Sequence, residues 1–309
     1  MKILIIKLGL SETLDSETSK IVSLGDVVRC TVVLEPLKKK YENPHITWVV
    51  SKEAQELVKN NALIDRVLVW DEFVPFVLMR EKYDIVINLE KIDGICALTD
   101  MINAWEKIGF RFDEIDGKYD TYFQSVRAKE YIQNKETHKQ IWQQVILNML
   151  GIEWKDQKYS LGYKPKTEEI RRVGLNYLVG SKWPSKAMSK FKWEELEKRL
   201  EDRNIPYSWQ EGKNNLLDYI EWINSCKVIV TQDSLGLHLA LALDKYVICL
   251  FGPTSADEIY FYGKGLALNL SEQFECKYCY SPICTNNEFC MDSLDLQKLI
   301  DTIETYMDK

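Results

Sequence analysis

Read as hydrophobic and polar positions, the chain alternates short apolar runs with amphipathic stretches. Lys2–Ile6 is brief and apolar and predicts a strand buried on both faces. Residues 9–23 are polar. Gly25-Asp26 then opens a helix expected to run toward Tyr41, with Pro36 kinking or shortening it. Residues 46–50, 66–70 and 84–89 predict further strands, 54–59 a short helix and 92–105 a longer one. Residues 135–149 predict an amphipathic helix with Ile141, Val145, Ile146 and Met149 on one face. Residues 155–169 are polar and Lys-rich without a clear period, so a domain boundary is expected there, dividing 1–160 from 161–309.

The second half repeats the grammar. Residues 172–177 and 205–209 predict strands, 193–201 and Leu216–Ser225 helices. A strand at 228–230 then runs into the polar turn Asp233-Ser234-Leu235-Gly236. An apolar helix follows, with Leu237, Leu239, Ala240, Leu241 and Leu243, and a strand at 247–251 ends in Gly252-Pro253-Thr254. Residues 294–306 close the chain as a helix. Alternating strands and helices predict an α/β fold with parallel sheets, and such folds bind ligands at the carboxyl ends of their strands.

Composition narrows the function. A chain of 309 residues favours two domains. A net charge of -7 and a pI near 5.3 argue against nucleic acid as a partner, since phosphate backbones need a basic footprint. Sixteen Tyr and nine Trp suit sugar and nucleotide faces. No apolar run reaches the ~18 residues of a membrane span, and the first run is too short for a signal peptide. A cytoplasmic protein is expected, either free or peripheral at the inner face of the membrane.

Three groups of residues carry candidate chemistry. Asp233 and Ser234 stand at a helix start, where free N–H groups suit phosphate and a carboxylate suits sugar hydroxyls; a simple helix cap is the other reading. Cys276, Cys279, Cys284 and Cys290 have a spacing that suits a closed, structural four-thiolate site for zinc or iron; four free thiols are the alternative. Cys30, Cys96, Cys226 and Cys249 lie in apolar contexts and read as buried thiols. Asp26 in Ser23-Leu24-Gly25-Asp26 is either a helix cap or a carboxylate exposed at a strand's carboxyl end. His45 and His138 read as surface residues.

These segments resemble the motifs of glycosyltransferase family 9, the ADP-heptose heptosyltransferases. Asp233, Ser234, His238 and Phe251-Gly252-Pro253-Thr254 follow the order of the family's donor-binding segment. Residues 174–186, ending Trp183-Pro184-Ser185-Lys186, are similar to its strand, Gly/Ser turn and Trp-Pro-x-Lys, and Ser23 to Asp26 to its Ser-x-Gly-Asp. The resemblance covers most of the chain and is strongest over 174–263. It implies a GT-B fold: two Rossmann-like doubly wound domains facing across a cleft, the first on the acceptor side and the second on the donor side.

The activity implied is inverting transfer of a heptose from a nucleotide sugar, ADP-heptose foremost, to a hydroxyl of a glycan, glycolipid or protein, without a catalytic cofactor. Asp26 would be the base. Lys186, with Lys182 and Ser185 nearby, would meet the donor diphosphate, though a solvated loop lysine is the ordinary reading. Asp233 would grip heptose hydroxyls, with Ser234, Leu235, Gly236, His238, Gly252, Pro253 and Thr254 around the donor. Glu211 would reach the ribose or stand exposed, and Glu258 and Tyr262-Gly263 would line the nucleotide pocket. A terminal cysteine cluster recurs in members resembling autotransporter heptosyltransferases. The chain departs from the family at residues 10–21, which look inserted. An epimerase-like relative and a non-catalytic nucleotide-sugar-binding scaffold are the rival readings.

Overall fold

The computed structural model describes residues 1–10, 21–133, 140–170 and 172–309. Most of the expected insertion, the start of the expected helix at 135–149, and His138 lie outside the described residues. The chain divides into two compact units, Met1–Tyr163 and Lys164–Lys309. No helix among the described residues is long and apolar enough to cross a membrane.

The first unit runs β1 (Lys2–Ile6), α1 (Leu24–Cys30), α2 (Leu34–Lys40), β2 (His45–Val50), α3 (Gln55–Val58), β3 (Arg66–Val69), α4 (Val74–Arg80), β4 (Lys82–Asn88), α5 (Asp93–Met101), β5 (Asn103–Asp113), β6 (Lys118–Thr121), α6 (Val126–Gln133) and α7 (Trp142–Met149). Its six-stranded sheet has the order β3-β2-β1-β4-β5-β6, parallel except for the β5–β6 hairpin. β1 is central, so Ile3 to Ile6 are buried on both faces. On one face Leu4 and Ile6 pack with Val49, Val86, Leu78, Ile95 and Leu98.

Pro36 acts as expected: α1 tightens into a 3-10 turn, Thr31–Val33, and Pro36 falls in the first turn of α2, where its missing N–H costs nothing. The helix expected over 92–105 is shorter. It stops at Met101, Ile102 is extended, and Trp105 belongs to β5, 92% exposed. Tertiary pairing overrides the local pattern here. β5 lies along β4, and Gly109 (φ +98°) approaches the Asn88 carbonyl so closely that a Cβ would sit 1.9 Å from its oxygen.

The second unit runs β7 (Val173–Asn176), α8 (Lys190–Asp202), β8 (Tyr207–Trp209), α9 (Leu216–Ser225), β9 (Val228–Gln232), α10 (Leu235–Ala242), β10 (Tyr246–Phe251), β11 (Gly265–Asn269) and α11 (Leu296–Asp308). Its five strands are all parallel, in the order β11-β10-β9-β7-β8. Leu235 and Gly236 belong to the first turn of α10 rather than to the turn before it. α10 has apolar residues all round and is almost wholly buried.

Strand order reverses between β1 and β4 in the first sheet and between β7 and β9 in the second. Doubly wound sheets bind ligands beyond the carboxyl ends of the strands at such switch points. In the first unit the loops there lead to Asp26 and Glu90. In the second they carry Lys186 and Asp233.

Candidate functional site

In the second unit the loops after β7, β9 and β10 converge on one carboxylate. Lys186 ends a 3-10 turn, Pro184–Lys186, that follows β7. Its Nζ lies 2.6 Å from Asp233 Oδ2 and 4.9 Å from the centre of the Trp183 ring. Thr254 Oγ1 donates to the same Oδ2 at 2.8 Å. Burial opposes the charge on Asp233, but Lys186, His238 and the bond from Thr254 outweigh it and hold this carboxyl well below the usual carboxylate range. Asp233 therefore stays ionised. Two residues expected to meet different parts of a ligand are here paired with each other.

Ser234 is the N-cap of α10 but makes no capping bond with its side chain. Its Oγ instead accepts from Asn176 Nδ2 at 3.3 Å. Asn176, fully buried at the end of β7, also donates to Thr231 Oγ1 and accepts from the Tyr219 hydroxyl. A Cβ on Gly236 would meet Asn176 Nδ2 at 2.3 Å and Tyr219 Oη at 2.6 Å, so glycine is required where α10 meets β7. The sequence reading did not single out Asn176, Thr231 or Tyr219. Their one signal was an asparagine closing an apolar strand. His238 is buried within α10.

The loop after β7 is held by the cysteine segment. Ser185 N donates to Pro282 O at 3.0 Å and Ser185 Oγ to Ser281 O at 2.6 Å. Tyr280 N donates to Pro253 O at 2.9 Å, and its hydroxyl to Glu258 Oε1 at 3.1 Å. A Cβ on Gly252 would strike Met291 Sδ at 2.5 Å and Cys290 Sγ at 2.9 Å. Ser185, Gly252 and Pro253 thus brace the site by packing and backbone bonds. Lys182 is buried, and Glu211 stands exposed after β8, beside Gly212 in a left-handed turn.

A closed four-thiolate shell is not shown for the clustered cysteines. Among the described residues no group of three or more His, Cys, Asp or Glu side chains is placed to hold a metal ion. Cys279 and Cys284 are exposed, and Cys276 Sγ accepts from Asn286 Nδ2 at 3.0 Å. Burial first, then the neighbouring Cys276, Cys279 and Cys284, push the Cys290 thiol up to about 11. The other three sulfurs are therefore within electrostatic reach of Cys290.

In the first unit, Asp26 lies in the first turn of α1, 7% exposed, after N-cap Ser23. It is not the cap. Its Oδ1 is 3.6 Å from Arg29 Nη1, and its Oδ2 is buried with no hydrogen-bond partner among the described residues. A buried carboxylate oxygen left without a donor is costly. It is also a lone pair held ready to accept a proton.

Comparison with known proteins follows this geometry. Residues 211–289, which include Asp233, Thr254 and three of the four clustered cysteines, match the model of glycosyltransferase family 9 (heptosyltransferase). Lipooligosaccharide heptosyltransferase 2 of Haemophilus influenzae is 43% identical over 44 residues, 14% of this chain and 13% of that protein's length. In fold, the chain is similar over 99% of its length to Escherichia coli heptosyltransferase WaaC, solved with ADP-2-deoxy-2-fluoro heptose (TM-score 0.65, 15% identity, 99% of that chain). It is also similar over its whole length to the iron-containing dodecameric glycosyltransferase TibC from enterotoxigenic E. coli (TM-score 0.60, 10% identity, 78% of that chain). Residues 211–289 are thus similar to glycosyltransferase family 9, in a chain whose fold is similar to the GT-B fold of a heptosyltransferase.

Proposed function

We propose that this protein is an inverting glycosyltransferase that moves a heptose from ADP-heptose to an acceptor hydroxyl. The observation that carries the reading is the Lys186–Asp233–Thr254 cluster at the switch point of the second sheet, beside the start of α10. Lys186 and the first N–H groups of α10 suit the diphosphate, and Asp233 suits sugar hydroxyls. The heptose derivative bound in the WaaC structure supports this choice of donor. Asp26 Oδ2 takes the proton of the acceptor hydroxyl as its oxygen attacks the anomeric carbon. The sugar–phosphate bond breaks on the opposite face, and ADP leaves with the electron pair, its charge stabilised by Lys186. One displacement inverts the anomeric centre. All eight cysteines are free, which fits a reducing cytoplasm.

Calorimetry with ADP-heptose and with ADP tests the donor. ADP-heptose should bind the more tightly, and its sugar should remain unchanged on prolonged incubation without acceptor. A sugar epimerised by the protein alone would establish the epimerase instead.

We further infer that Cys276, Cys279, Cys284 and Cys290 hold one zinc or iron ion, as the iron of TibC supports. The ion would cross-link the loop that braces Ser185 and Pro253, a structural and not a catalytic role. Protein purified without chelator should carry about one metal per chain. Cys279→Ser should lower metal content and melting temperature while folded protein still binds donor. Full stability in metal-free wild type would dispose of the site.

A further inference from the structure

The switch point of the first sheet holds a second pair of buried charges. Lys7, one residue past β1, is 1% exposed, and Glu90, two residues past β4, is 0% exposed. Lys7 Nζ is 3.4 Å from Glu90 Oε1 and 3.4 Å from Leu89 O. Neighbouring parallel strands deliver them together, since Ile6 pairs with Asn88. Glu90 is itself fixed: its N–H donates to Asn88 Oδ1 at 2.9 Å, and Asn88 Nδ2 donates to Phe110 O at 2.8 Å. A charge buried this deeply is retained only where paired and hydrogen-bonded.

Glu90 Oε1 also accepts from the backbone N–H of Gly9 at 2.6 Å and of Leu10 at 3.1 Å. Gly9 is left-handed (φ +99°), and its carbonyl accepts Ser23 N at 2.7 Å. Ser23 in turn is the N-cap of α1, and its carbonyl accepts Asp26 N at 3.2 Å. An unbroken path of hydrogen bonds thus runs from Glu90 through Gly9 and Ser23 to Asp26. It bypasses the stretch between Gly9 and Ser23. The charges also share a centre. Burial pushes the Cys30 thiol up to about 12, Lys7 and Arg29 pull it down, and Asp26 and Glu90 push it up.

We propose that Glu90 is a positioning residue for the transfer reaction. Its carboxylate, balanced by Lys7, clamps the chain after β1 so that Asp26 is presented in a fixed place and in a locally neutral field. The proposal rests on the reading of Asp26 as base. Arg29 Nη1 lies 3.6 Å from Asp26 Oδ1, and the charges that act together with Asp26 on the Cys30 thiol are Arg29 on α1, Lys7 after β1 and Glu90 after β4. α7 packs on α1 with Trp142 under the Arg29 guanidinium, and its sequence has no titratable residue.

The test uses the full chain with ADP-heptose and water as acceptor, following ADP release across pH. Glu90→Gln keeps the shape but takes the carboxylate charge away from the Lys7 pair. It should slow release by about 10- to 100-fold through misplacement of the base. It should also move the acid limb of the profile to lower pH, because removing a nearby negative charge favours an ionised carboxylate. Lys7→Met combined with Glu90→Gln should return the limb to its wild-type position. ADP affinity should stay within about twofold, because Lys186 and Asp233 belong to the other unit. An unmoved limb and rate in Glu90→Gln, where Asp26→Asn is inactive, overturns the role of Glu90. Full activity in Asp26→Asn instead removes the base on which it rests. Should Glu90→Gln not fold, hydrogen exchange of the wild type decides: the Gly9 and Ser23 amides should exchange as slowly as the sheet, and loop-like rates reject the clamp.

Discussion

Asp26→Asn is expected to slow heptose transfer by about 10²–10⁴-fold, the usual cost of losing a general base. The substitution suits the question because the amide keeps the shape of the side chain. Asp26 caps nothing, so no capping bond is lost, and its link to Arg29 is a loose 3.6 Å pair. What disappears is the capacity of a buried oxygen, unbonded among the described residues, to accept a proton. Donor affinity should be unchanged, since the residues assigned to the donor lie in the second unit. Single-turnover transfer, with the product anomer read by NMR, checks both rate and stereochemistry. A mutant as fast as wild type removes Asp26 from the mechanism, and a product with retained configuration removes the direct displacement.

Asp233→Ala is expected to act in two separable ways. Lys186 and Thr254 both address Asp233 Oδ2, so its loss strands a mostly buried ammonium and a hydroxyl. Breaking such a pair costs about 3–5 kcal/mol of stability. Binding of the nucleotide sugar should weaken by about 1.5–3 kcal/mol through lost charged hydrogen bonds to the sugar. Bare ADP should bind as well as before or better, because Lys186 is released from its carboxylate. Calorimetry with both ligands separates the effects, and equal weakening of ADP and ADP-heptose would rule out a sugar contact.

The same carboxylate gives the protein a predictable acid response. Its folded-state pKa lies below the unfolded value of about 3.9, so its contribution to stability is complete above that value. It is lost as pH falls below about 4 toward the folded-state pKa. Asp233→Asn should lack this portion of the acid-induced loss in thermal unfolding scans.

Much of the second unit was legible in the sequence because its signals are local. Apolar β9, the turn at Asp233 and the apolar α10 read directly, and α9 was placed at Leu216–Ser225 to the residue. The β5–β6 hairpin was not. Its charged residues, among them Glu106, Lys107, Arg111 and Asp113, mask the alternation. What makes it a strand is pairing with β4, which no local pattern encodes. α4 was missed for a related reason: Phe73 and Phe76 are exposed, so its apolar positions do not mark a buried face. β11 too has only partly buried residues apart from Leu268 and Asn269.

The candidate residues divide in the same way. Asp26, Lys186 and Asp233 were found by motif, but that Lys186 and Asp233 face each other depends on β7 lying beside β9. Ser185 was assigned to the ligand side because it precedes Lys186. Its hydroxyl is turned instead to a carbonyl almost a hundred residues away, a partner that sequence adjacency could not reveal. Glu90 escaped attention because a single glutamate after a strand has no spacing to mark it.

The bond between Ser23 N and Gly9 O closes the chain on itself just ahead of α1. The two ends of the stretch so closed meet at one neck whatever length lies between, and the entropy of closing a chain on itself grows only logarithmically with that length. Doubling the stretch between Gly9 and Ser23 costs about 0.6 kcal/mol, less than a single buried methylene contributes. The family-like motif therefore tolerates a chain departure directly beside it. Length there is nearly neutral to stability and can be altered, by evolution or by design, while Asp26 keeps its address.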